Sequence, residues 1–183
     1  MKDNPKSKQQ RTHYSLRWSK EADETFINQW FLEDREAMHY LIVQEKEVPF
    51  LAKSWCCVPG TGIICESVPA PGRGAKDSAS PVGVSFLSLF PYKRLLHQCS
   101  FNLYVLPAFR KKGVGSLLLA ASERLALRYG VEKLLLELPG HPQAQWFEQR
   151  GFEKYAQQDR FYFLEGGEVL PRWLYKKELV CLS

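Results

Sequence analysis

The segment Arg110-Lys111-Lys112-Gly113-Val114-Gly115-Ser116 joins two stretches of opposite character. Before it runs "SFNLYVLP", an apolar run that reads as a buried strand, and behind it runs "LLLAASERLALRYG", which reads as a helix. A strand that turns into a helix through two glycines commits this part of the chain to an α/β arrangement. It also leaves a helix N-terminus with unpaired N–H groups and a positive dipole end beside three cations. Gly113 and Gly115 carry no side chain, so a ligand can approach the backbone. The N–H groups from Lys111 to Ser116 then converge on one point, with Arg110, Lys111 and Lys112 at the rim. This chemistry suits a diphosphate. The plain alternative is a tight glycine turn whose basic residues are solvated. Two other phosphate loops do not fit: no Gly-Lys-Ser/Thr triplet occurs, and the third glycine of a dinucleotide fingerprint would fall on Leu118.

The rest of the chain supplies a sheet for that corner. Tyr14 to Trp18 alternates as a strand. Ser19 reads as the N-cap of a helix whose inner face is Phe26, Ile27, Trp30 and Phe31. A second helical stretch turns Met38, Leu41 and Ile42 inward, and Pro49 opens a third, short helix carrying Phe50 and Trp55. Ile63–Ser67 is a strand, and Val68–Ser80, rich in Pro and Gly, is an exposed, mobile hairpin loop. Val82–Phe90 and Gln98–Leu106 are strands close enough in sequence to pair antiparallel. Behind the corner, Val114, Leu117, Leu118, Ala121 and Leu125 share a helix face, and Gly130 caps the helix. Lys133–Leu138 is a strand and Pro142–Gln149 a short helix ended by Gly151. Phe152–Leu164 and Trp173–Leu179 close the chain around "EGGE". The order predicts a mixed α/β sheet, mostly antiparallel, with helices on its faces.

Residues 1–12 read as a loose polar tail and 13–183 as one domain, a size that 183 residues support. No apolar run approaches the ~20 residues of a membrane helix, and the N-terminus lacks the apolar centre of a secretory signal. Five cysteines without metal-ligand spacing predict reduced thiols, no zinc site and a cytoplasmic protein. The net charge of +5 admits an anionic partner, but the scattered basic residues do not form a nucleic-acid-binding module.

The corner, preceded by "YVLP", resembles that of the GCN5-related N-acetyltransferases (GNAT), whose pattern is Arg/Gln-x-x-Gly-x-Gly/Ala. Here it is Arg110-x-x-Gly113-x-Gly115. A second stretch of that family, Asn-x-x-Ala-x-x-Phe/Leu-Tyr-x-x-x-Gly-Phe, is similar to "HPQAQWFEQRGF", His141–Phe152. The resemblance spans Tyr14 to Leu179 and implies a GNAT-type fold with acetyl-CoA as cosubstrate. It places the pyrophosphate on the amides of the corner, including Val114. It lays the pantetheine arm between two splayed strands that end at Leu106 and Leu138, paired with backbone near Leu103, Tyr104 and Val105. It brings His141, Ala144 and Phe147 to the cofactor. The acceptor it implies is an amine on a small molecule or protein N-terminus, framed by the helices from Ala22 to Leu41 and the turn at Gly166 and Gly167. The protein is then a monomer or homodimer.

Two positions depart from the family. His141 replaces asparagine but still hydrogen-bonds. Phe147 stands where many relatives carry the tyrosine that protonates the departing thiolate, which phenylalanine cannot do. That departure motivates a second reading, an acyl-CoA-binding protein of weak activity. Tyr104 and Tyr162 are substitute donors in principle. For the base, alternation in "KLLLELP" sets Leu134, Leu136 and Leu138 on one face and Leu135 and Glu137 on the other. Burial would raise the pKa of Glu137 into the range of a general base. The strand also resembles the "Leu-Glu-Val" strand of the ribosomal-protein alanine acetyltransferases. A strand-end glutamate paired with a nearby Lys or Arg is the alternative, and His97 and Glu66 are weaker candidates.

Overall fold

The computed structural model describes residues 13–35, 37, 41, 43–56, 58–68, 79–140, 143–164 and 167–179. Its elements, in chain order, are β1 (His13–Trp18), α1 (Glu24–Glu33), α2 (Val48–Cys56), β2 (Gly62–Val68), β3 (Ser80–Leu89) and β4 (Gln98–Val105). They continue with α3 (Val114–Arg128), β5 (Lys133–Pro139), α4 (Ala144–Glu148), β6 (Glu153–Phe163) and β7 (Val169–Glu178). The strands form a seven-stranded sheet in the order β1-β2-β3-β4-β5-β7-β6. Every neighbouring pair is antiparallel except β4 and β5, which run parallel. A parallel pair requires a crossover, and α3 provides it.

Both faces of the sheet are covered. On one, α3 packs Leu118, Leu125 and Ala126 against Phe101, Leu134, Leu136 and Tyr175. A buried Ser122–Ser85 hydrogen bond of 2.8 Å fixes α3 over β3. On the other, Ile27 and Phe31 of α1 and Val48, Ala52 and Trp55 of α2 cover Ile64, Val84, Phe86 and Tyr104. Phe31 meets both Trp55 and Tyr104 edge-on, an arrangement that suits the ring quadrupoles. Tyr104 of β4 thus faces α1 and α2, whereas Phe101 faces α3.

The structure moves several expected features. Ser19 is no helix cap: its hydroxyl donates to the Trp55 carbonyl, and Asp23 occupies the N-cap of α1. The Asp23 carboxylate is held by Arg17, which also binds Glu66, so its placement follows from the β1–β2 pairing. Phe50 is 75% exposed, because Val48, Ala52 and Trp55 already fill the inner face of α2. The last strand begins at Val169, four residues earlier than its apolar pattern suggested. Met38 and Ile42 of the expected second helix, residues 1–12 and 69–78, and Gly166 lie outside the described residues.

Cys65 and Cys99 are free, buried thiols. Burial, with the Glu66 carboxylate adding to it, pushes the Cys65 thiol up to about 11, and burial alone pushes Cys99 up to about 12. An unfolded thiol ionises near ~8.5. Above that pH the unfolded chain binds fewer protons than the folded chain, so stability falls as pH rises. Urea unfolding at pH 8, 9 and 10 should show this decline, at most about 1.4 kcal/mol per pH unit for each thiol. The double variant Cys65→Ala/Cys99→Ala should flatten it.

Candidate active site

The β4–β5 pairing ends early. It joins Gln98, Cys99 and Ser100 to Lys133, Leu134 and Leu135 and goes no further. From Phe101 to Val105, β4 keeps its other neighbour β3, so its second edge faces the gap. β5 likewise keeps β7 as far as Pro139. The two strands diverge around a cleft of about 1090 Å³. Its lining includes Asn102, Leu103, Tyr104 and Val105 from β4, and Leu135, Leu136, Glu137 and Leu138 from β5. Arg110, Lys111, Gly113, Gly115 and Ser116 of the glycine corner also line it.

The corner has the backbone its sequence requires. After Pro107–Phe109, a short 3-10 turn, Lys111 takes a φ of 59° and Gly113 a φ of 88°. Gly113 is the N-cap of α3, and its carbonyl accepts from the Leu117 N–H. No atom lies within 4 Å of where a Gly113 Cβ would stand, so the amides of the first turn are open from that side. At Gly115 a Cβ would meet Trp146 Cζ2 at 3.2 Å. Glycine there lets the indole of α4 lie against the first turn of α3.

The three cations separate. Arg110 turns inward: its Nε donates to the Val105 carbonyl at 3.1 Å and its Nη2 to Asp34 Oδ2 at 2.7 Å. Asp34 also accepts from the Tyr104 hydroxyl at 2.9 Å and from the Ala37 N–H at 3.0 Å. Burial, then the Asp34 hydrogen bond, raise the Tyr104 pKa, so its hydroxyl keeps its proton. Lys111 stays at the cleft, and Lys112 lies 5.3 Å over the Phe109 ring. A further cation arrives from α4's end: Arg150 stacks 3.8 Å from the Trp146 ring and donates to Ser116 Oγ at 3.1 Å.

Glu137 is where alternation put it, on the cleft face with Leu135, while Leu134, Leu136 and Leu138 are buried in the core. Of the two surroundings left open for it, burial or pairing at a strand end, the structure shows pairing. Its side chain is 40% exposed and paired with Arg172 at 2.6 Å, because β7 lies beside β5 with Arg172 opposite Pro139. The Tyr162 hydroxyl also donates to Glu137. Burial and that carboxylate raise the Tyr162 pKa, so the phenol stays protonated. A break in the β6–β7 register between Gln158 and Tyr162, with Arg160 at a φ of 54°, sets Tyr162 there.

The remaining candidates divide. Val114 and Ala144 point their side chains into the core, which leaves only their backbone for a ligand. Phe147 is 6% exposed, packed against Phe152 and Trp146 at the cleft wall. Glu66 is tied to Arg17 on β2, and exposed His97 is not in the cleft lining. His141 lies outside the described residues. Among the described residues, no group of His, Cys, Asp and Glu could hold a metal, and no helix is long and apolar enough to cross a membrane.

Sequence reasoning passed over Asp34, Trp146, Arg150 and Arg172. Arg150 is adjacent to the Gly-Phe pair of the second motif, a usable signal. The others depend on pairings between distant segments.

The comparisons agree with this architecture. The family model described as an acetyltransferase (GNAT) domain matches residues 75–154, which hold the corner and both diverging strands. A structure assigned as a phosphinothricin N-acetyltransferase aligns with a TM-score of 0.75 at 18% identity, covering 92% of this chain and 99% of that one. A GCN5-related N-acetyltransferase from Kribbella flavida aligns at 0.71 and 17% identity, covering 91% and 98%. A protein from Salmonella typhimurium, solved with its cofactor acetyl-CoA, aligns at 0.67 and 16% identity, covering 93% and 96%. No curated protein sequence matches the chain. The identities establish a shared fold, and over residues 75–154 the chain is similar to a GNAT acetyltransferase domain.

The Asp34 carboxylate joins the end of α1 to β4 and the corner, so its removal leaves buried donors unpaired. Asp34→Ala should cost about 1–3 kcal/mol in urea unfolding, and Asp34→Asn, which still accepts hydrogen bonds, should cost less.

Proposed function

We propose that the protein transfers an acetyl group from acetyl-CoA to a primary amine within a ternary complex. The observation that carries this reading is the gap between β4 and β5, which leads from the open helix N-terminus at Gly113 to Glu137. An extended, polar chain with a diphosphate at one end fits such a cleft. Its pyrophosphate would rest on the amides of Lys111, Lys112, Gly113, Val114, Gly115 and Ser116, with Lys111 and Arg150 adding charge. Its pantetheine arm would pair with the free edge of Leu103, Tyr104 and Val105, and His141, Ala144 and Phe147 would border it. Acetyl-CoA is a diffusible cosubstrate and the chemistry needs no metal.

In this reaction the amine nitrogen attacks the thioester carbonyl and a tetrahedral oxyanion forms, stabilised by N–H donors. The carbon–sulfur bond then breaks, leaving the amide and the CoA thiolate. The ammonium proton passes to Glu137 directly or through water. Phe147 supplies no proton to the thiolate. Since a thiol has a pKa near ~8.5, the thiolate departs tolerably well without a dedicated acid. The partner is an amine on a small molecule or protein N-terminus.

Two measurements test the reading. CoA should raise the melting temperature of the wild type, since it binds the folded state alone. Gly115→Glu, which displaces Trp146 and sets a carboxylate against the phosphates, should abolish that shift. An undiminished shift in the variant would remove the corner from the cofactor site. For the base, Glu137→Gln should lower turnover at neutral pH by about 10²-fold. The loss should shrink as pH rises, because a free amine with pKa near ~10.4 becomes abundant without a base. A pH-independent loss would make Glu137 a structural partner of Arg172 instead.

A further inference from the structure

Resting on the transferase reading, we infer that the acceptor is a small α-amino acid with an uncharged side chain, recognised as a zwitterion by the Glu137–Arg172 pair. Among the described residues lining the cleft, Glu137 is the sole carboxylate. Its charge is already matched by Arg172 at 2.6 Å, and both side chains stay partly open, at 40% and 29%. A pair so exposed adds little to stability. It does set a negative and a positive group side by side in the cleft wall. An α-amino acid presents the inverse arrangement: its ammonium faces Glu137 and its carboxylate faces Arg172.

The guanidinium has the capacity for this. Its Nη2 serves Glu137 and its Nη1 reaches Gln158 at 3.3 Å, a long contact. Its Nε is buried, so the donors open to a ligand are the second hydrogens of Nη1 and Nη2. Guanidinium donors left unused suit a planar carboxylate. Phe161 stacks 4.7 Å beneath the guanidinium and keeps its plane in place. Leu174 stands opposite Glu137 and Leu135 precedes it on the same face, which offers an apolar shelf for the side chain. The other cations lining the cleft, Arg110, Lys111 and Arg150, belong to the corner end. A polyamine would find no surplus negative charge here and would be repelled by Arg172.

The test compares L-leucine, L-leucinamide, 3-methylbutylamine and spermidine as acceptors for the wild type, by CoA thiol release and mass spectrometry of the product. Rates are expressed as kcat/KM per free amine. L-Leucine should exceed 3-methylbutylamine by about tenfold or more, since the amine leaves Arg172 without its carboxylate. Arg172→Gln should collapse that ratio mainly through the KM for leucine, with the CoA-induced melting shift intact. Arg172→Lys should retain part of the preference. The wild-type series stands even if neither variant folds. Equal rates for leucine and 3-methylbutylamine, or a preference for spermidine, would overturn the inference and leave the transferase reading standing. A preference for leucinamide would replace the amino acid by a peptide N-terminus. Absence of transfer to all four acceptors, with CoA still bound, would overturn both the inference and the transferase reading.

Discussion

The parallel pairing of β4 and β5 stops at Ser100 and Leu135, and the site depends on that stop. Each strand is anchored on its outer side, β4 by β3 and β5 by β7. The two can therefore diverge without losing their place in the sheet. Backbone donors and acceptors exposed along the inner edge need partners, and an extended amide-containing ligand is one means of supplying them. The helix that must bridge a parallel pair begins where β4 ends, so one topological requirement brings both the gap and an open helix N-terminus to the same end of the sheet.

Asp34 is the counterpart of that divergence. A strand with one free edge is less restrained than one paired on both sides. The carboxylate at the end of α1 gathers the Tyr104 hydroxyl, the Arg110 guanidinium and the Ala37 amide. It fastens the outer helices to β4 where the sheet stops doing so. Arg110, first residue of the glycine motif, is a structural tie here.

Local features were legible in the sequence and distant pairings were not. The glycine corner and the alternation of Leu134 to Leu138 need only local signals and stand as read; the inward face of α3 is shifted, with Leu119, Ser122 and Ala126 buried and Leu117 and Ala121 at its margin. Ser19 misled because its polar character suits a cap, whereas the β1–β2 register sends its hydroxyl to Trp55. Phe50 misled because apolar character does not say which residues of a short helix fill the inner face. Arg110 and Asp34 are 76 residues apart, and Arg172 and Glu137 are 35 apart. Only the folded sheet brings either pair together. For Glu137 the sequence left burial and pairing with a Lys or Arg both open, and the order β5-β7-β6 decides for pairing by bringing it an arginine and a tyrosine.

The break in the β6–β7 register between Gln158 and Tyr162 gives the two ends of the cleft different tolerance to change in chain length. The glycine-corner end is built from β4, β5 and α3, none of which contains that break. The Glu137 end receives Tyr162 from a strand that already carries extra residues opposite its partner. Inserting or deleting one residue there turns the following side chains to the opposite face and removes the phenol from Glu137 without disturbing the corner. The Glu137 end of the cleft can thus drift through small insertions in an outer strand, while the glycine-corner end keeps its form.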